Sequence, residues 1–102
     1  MDPVVVTIPH RHGKAEATRR IKAGIEDART RYTAQLKIAE ESWEGDRLRF
    51  RAAVLGQTVT GAIDVGDDEV RTEVTLTWLM GHLVKPAEAL IRREGALILE
   101  GP

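Results

Sequence analysis

The sequence contains no cysteine. That excludes disulfides, thiolate zinc sites, iron–sulfur clusters and a cysteine nucleophile. It holds a single serine, Ser42, and no G-x-S-x-G turn on which a serine nucleophile could sit. Aromatic residues are few: Tyr32, Phe50, Trp43 and Trp78. Neither sign of charge is in excess, with 15 Lys and Arg against 16 Asp and Glu. The electrostatic footprint of a nucleic-acid or anionic-membrane binder is therefore missing. No apolar run approaches the ~20 residues that span a bilayer. The opening MDPVVVTIPHRHG has no basic run ahead of a long apolar one. No secretory signal is expected, and a cytoplasmic location follows as the expectation.

What is present is enough to fold. Hydrophobic residues make up 42% of the 102 and charged ones 30%, the balance of a globular chain rather than a disordered tail. At this length, residues 1–102 are read as one domain. Charge is spread unevenly, with net +3 over residues 1–33, −4 over 34–69 and zero over 70–102. There is no Ser/Gly/Pro-rich linker, repeat or low-complexity tract.

Val4–Pro9 (VVVTIP) is β-branched and short, which predicts a strand. From about Gly13 to Thr33 the period becomes helical. Ala17, Ile21, Gly24, Ile25, Ala28 and Tyr32 share one face. The opposite face carries Glu16–Arg20, Lys22–Glu26 and Asp27–Arg31 at i,i+4. Gly24 on the apolar face predicts close approach to a sheet. Leu48, Phe50, Ala52 and Val54 then alternate with arginines, and Val59, Gly61, Ile63 and Val65 alternate with polar residues. Gly56-Gln57 between them suits a two-residue type II′ hairpin. That turn pairs Val54 with Val59, Phe50 with Ile63 and Arg49 with Asp64. A four-residue loop, Gly66–Glu69, pairs Val65 with Val70 in the next strand.

Upstream, Leu36–Trp43 joins the meander through Glu44-Gly45-Asp46. A three-residue loop turns Leu36, Ile38 and Glu40 inward and Trp43 outward; a four-residue loop does the reverse. A bulge near Glu40–Glu41 is preferred, because it brings Leu36, Ile38 and Trp43 to the core together. An inward Glu40 would be desolvated, a trait of active-site acids. After Thr77 a helical stripe returns. It predicts a short turn at Trp78–Val84 and a main helix from about Pro86 to Arg93 or beyond, with Gly95 as a candidate end. Ala96–Glu100 fits either a last helical turn or an extended tail. The order β-α-β-β-β-β-α predicts a two-layer α+β domain, an antiparallel meander covered by two helices.

Candidate chemistry is thin. His10 and His12 stand at i,i+2, but no third ligand has a recognisable spacing, so no metal is expected. On that reading, replacing both leaves the melting temperature unchanged, with or without a chelator. His82 stands alone as a surface or partly buried residue. No phosphate loop occurs, and no nucleophile–base pair is legible. No catalytic residue and no cofactor are assigned. Arg11, Lys22 and Arg29 fall near one azimuth of the first helix, but Glu26 and Asp27 interrupt them, which disfavours nucleic acid.

Two motifs carry a resemblance: P-H-x-x-G-x-x-E-A at Pro9–Ala17 and W-x-G-D-R-L at Trp43–Leu48. With Leu55–Gly61 they resemble the polyhydroxyalkanoic acid system family, small bacterial proteins encoded near polyhydroxyalkanoate synthesis and granule genes. The resemblance covers residues 4 to about 91 and implies no catalytic residues. The order of elements also resembles a minimal helix-grip arrangement, and Gly81…Pro86 resembles the segment that closes it.

Two functions follow as expectations. The first is a non-catalytic accessory protein of polyhydroxyalkanoate metabolism, binding the granule or a granule protein and located there. The alternative is a small carrier or enzyme-like module. It would take an apolar lipid or hydroxyacyl ligand in a cavity between the sheet and the C-terminal helix, lined by Phe50, Ile63, Val74, Leu83 and Leu90. An exposed apolar patch would favour the first, and a lined cavity the second.

Overall fold

The computed structural model describes residues 3–54, 56–76, 82 and 84–100. Five strands and two helices follow in the order β1 (Val4–Pro9), α1 (Gly13–Arg31), β2 (Leu36–Glu44), β3 (Arg47–Val54), β4 (Gln57–Val65), β5 (Glu69–Thr75) and α2 (Val84–Glu100). β1 alternates buried and exposed residues along its length, as a strand with one wet face must. It pairs antiparallel with β5, giving the open sheet order β1-β5-β4-β3-β2. Both helices cover one face of this sheet, and the long C-terminal helix lies against it in the helix-grip manner. The core runs from Val4, Val6 and Ile8 through Val70 and Val74 to Leu99 of α2, with Ala17 and Ile21 closing it from α1.

The β4–β5 loop places Val65 opposite Val70, as the spacing predicts. The β3–β4 register is shifted by two residues from the expected one. Val54 faces Gln57, Phe50 faces Gly61, and Arg47 rather than Arg49 faces Asp64. Gly56 is therefore the second residue of its loop, with φ +82°, so the type II′ assignment with Gly first is wrong. A shift of two leaves every side chain on its expected face. What it changes is partners. The ring of Phe50 now meets the one residue without a side chain, where opposition to Ile63 would have crowded two large groups. Arg47 Nη1 donates to both oxygens of Asp64, at 2.7 and 2.6 Å.

The bulge in β2 is present, one residue earlier than expected, between Ile38 and Glu40. The β2–β3 loop is shorter than expected, because Glu44 faces Arg47 across only two residues, with Gly45 at φ +58°. Leu36, Ile38 and Trp43 are all half-buried, as the bulge argument requires. Trp43 lies beneath α1, with Lys22 Nζ 5.0 Å from its ring centroid.

Gly24 does face a close neighbour, but that neighbour is a helix rather than the sheet. A Cβ there would stand 2.5 Å from Ile98 Cδ1 of α2. Gly95 does not end α2, which runs on to Glu100. It sits where α2 crosses β1, and a Cβ there would collide with Ile8 Cδ1. Pro86 falls in the first turn of α2, where a missing N–H costs nothing. Of the turn expected at Trp78–Val84, residues 78–81 and 83 lie outside the described residues.

Candidate ligand-binding site

The apolar alternation of β3, β4 and β5 and the stripe of α2 border a partly open space between the two layers. Its sheet side is built by Phe50, Ala52 and Val54 of β3, Val59 of β4 and Val74 of β5, with Leu36 and Leu76 at the ends. Pro86, Ala87, Leu90 and Ile91 of α2 form the other wall. The chamber holds about 350 Å³, at the lower end of the ~300–1,000 Å³ typical of small-molecule pockets. Every described lining residue is apolar, so these residues offer a surface for hydrocarbon and no acid, base or nucleophile among them.

A smaller chamber of about 150 Å³ lies beside it under α1. Leu36, Phe50 and Ala52 line both. Ile25 and Ala28 of α1, Ile38, Leu48 and Ile63 complete the smaller one, and Glu41 stands at its edge. The bulge turns Glu41 to this face, opposite Phe50. Arg29 of α1 donates to Glu41 Oε1 at 2.7 Å. Glu40, the residue expected to be desolvated if inward, is on the other face. It is exposed and paired with Arg51 at 2.6 Å.

Of the residues expected to line one cavity, Phe50, Val74 and Leu90 do so, and Ile63 belongs to the smaller chamber. Leu83 lies outside the described residues. Among the lining residues that sequence reasoning missed are Ala52, Val59, Ala87 and Ile91. Their signal was available: Ala52 and Val59 share the inward parity of Phe50, and Ala87 and Ile91 share the α2 stripe with Leu90.

His10 and His12 take a different part from metal ligation. The His12 N–H donates to His10 Nδ1 at 3.2 Å, and His10 Nε2 donates to the Gly66 carbonyl at 3.0 Å. His12 Nε2 donates to the Leu99 carbonyl at the end of α2. The rings stack nearly parallel, 6.0 Å apart. The pair thereby ties the end of β1 to the β4–β5 loop and to the last turn of α2. These bonds argue against the expectation that both are dispensable for stability. His82 is exposed.

An antiparallel sheet gripped by a C-terminal helix, with P-H-x-x-G-x-x-E-A running from the end of β1 into α1, meets a specific counterpart. The family model for polyhydroxyalkanoic acid system proteins matches residues 4–97. The chain belongs to this family. The family's name ties it to the polyhydroxyalkanoate system. No curated protein matches the sequence. Among solved structures, DynU16, a protein of the dynemicin biosynthetic locus, shares the fold at TM-score 0.69 and 14% identity. The match covers 99% of this chain and 48% of DynU16, so the chain spans about half the length of that neighbour. Family and fold agree with the expectations from the sequence. Among the described residues, no helix is long and apolar enough to cross a membrane.

Proposed function

We propose that this polyhydroxyalkanoic acid system protein is a non-catalytic accessory component that binds the alkyl chain of a hydroxyacyl unit between its sheet and α2. The observation that carries this reading is the chamber of about 350 Å³ whose described lining is wholly apolar. Hydrocarbon buried there gains roughly 0.8 kcal/mol per methylene. Among the described residues the lining holds no acid–base pair or nucleophile, which supports binding rather than turnover. Ala87→Leu tests the reading. It fills the chamber from α2, where leucine is nearly as good a helix former as alanine. Binding of a fluorescent fatty acid should be lost while the far-ultraviolet spectrum and melting temperature hold. Unaltered binding would place the ligand elsewhere.

A second reading has its own support. Leu90 and Leu97 are 48% and 62% exposed, and their i,i+7 spacing puts them on one stripe of α2. An apolar stripe of this kind suits attachment to a granule surface or a granule protein. The two readings separate by mutation, because Ala87 faces the chamber and Leu97 does not line it.

A further inference from the structure

Phe50 does more than line the chamber beneath α2. It stands on β3, a strand paired on both sides, and its ring is held against Gly61 of β4. A Cβ at residue 61 would stand 2.5 Å from Phe50 Cζ and 2.9 Å from Cε1, so the ring occupies the room that glycine leaves. The ring packs at the margin of the core and is half-buried rather than enclosed. It lines both the chamber of about 350 Å³ and that of about 150 Å³. Two other described residues line both. Ala52 has no side chain beyond Cβ, and Leu36 begins an edge strand. Phe50 is the largest group between the two spaces.

We infer that the Phe50 ring is the partition that sets how long an acyl chain the protein accepts. A chain entering the α2 chamber ends against this ring. The smaller chamber beyond it is also apolar except for Glu41, which Arg29 holds at the edge. Removing the ring joins the two spaces into one longer slot. The ligand class is therefore a saturated acyl chain of limited length, and Phe50 is its specificity-determining residue. This inference rests on the acyl-binding reading proposed above.

The experiment is calorimetric titration of the full chain with saturated fatty acids from hexanoic to tetradecanoic acid. Wild type, Phe50→Ala, Phe50→Leu and Ala87→Leu are compared. Wild-type affinity should rise with chain length and then level off or fall. Phe50→Ala should move that break to longer acids, gaining roughly fourfold in affinity for each further methylene it admits. Phe50→Leu should lie between them, and it carries the test if the alanine variant does not fold. A break at the same length in both variants, with wild type binding and Ala87→Leu blocking it, overturns the partition and leaves the acyl-binding reading standing. Failure of wild type to bind any acid of the series overturns both.

Discussion

Gly56 adopts φ +82° in the β3–β4 turn, a region that costs a side-chain-bearing residue roughly 1–2 kcal/mol. No neighbour would touch a Cβ there, so the cost is conformational and not steric. Gly56→Val should therefore destabilise by about 1–2 kcal/mol, whereas Gln57→Ser should change little. Urea melts of the two variants measure this, and equal small effects would remove the strained turn. The histidines make a different residue-scale prediction. His10 is buried and its two ring nitrogens serve Gly66 and His12, while His12 serves Leu99. Replacing both by alanine leaves these backbone groups without partners, each costing about 1–3 kcal/mol where water cannot reach. The melting temperature should fall, equally with and without a chelator. A melt that responds to the chelator in wild type and not in the double variant would instead make them metal ligands.

At the scale of elements, the first turn of α1 depends on Glu16. Its carboxylate accepts from Arg19 at 2.6 and 2.7 Å and from Arg20 at 2.9 Å. These bonds lower its pKa from the usual 4.5 to about 2. A pKa lowered by folding means the contribution is whole above the unfolded value and is lost as pH falls from 4.5 to about 2. The melting-temperature difference between wild type and Glu16→Gln should be constant above pH ~5 and shrink below it. A difference that stays unchanged down to pH ~2 would show that the arginines do not hold this carboxylate in solution. The same scale explains the β2 bulge. Without the extra residue, Glu41 would not reach the α1 side, where Arg29 meets it, and either Trp43 or the Leu36 and Ile38 pair would face water.

For the whole molecule, the two binding readings differ in what salt should do. Attachment through Leu90 and Leu97 is apolar, and the chain's net charge is −1. Co-sedimentation with polyhydroxyalkanoate granules should therefore survive a rise in ionic strength that shortens the screening length from ~10 Å at 0.1 M to ~3 Å at 1 M. Leu97→Ser should weaken it and Ala87→Leu should not. Salt-labile sedimentation would move the contact to the basic face of α1. A hydroxyacyl thioesterase assay on the same sample should give no turnover. Turnover abolished by Glu41→Gln would make the protein an enzyme, with the carboxylate that the bulge turns to the α1 side at its site.

Patterns that repeat along the chain determined the strands, the helices and their apolar faces. Val4–Pro9, the alternation from Leu48 to Val65 and the stripe through Ala87, Leu90 and Ile91 each carry many residues that agree. One error in spacing cannot reverse them. The motifs at Pro9–Ala17 and Trp43–Leu48 likewise determined the family. Contacts between elements were decided only in three dimensions. The β3–β4 register depended on which residue could face the Phe50 ring, and a slip of two changes no face and so leaves no trace in the alternation. Gly24 and Gly95 read as a sheet contact and a helix end, because a missing side chain does not say what fills its space; the tertiary structure supplies Ile98 and Ile8. His10 and His12 looked idle because their partners, Gly66 and Leu99, lie far along the chain and are backbone carbonyls, which every residue has. The chamber was legible only in part for the same reason. Its inward-facing residues can be read from periodicity, but its division at Phe50 depends on how far the helices stand from the sheet.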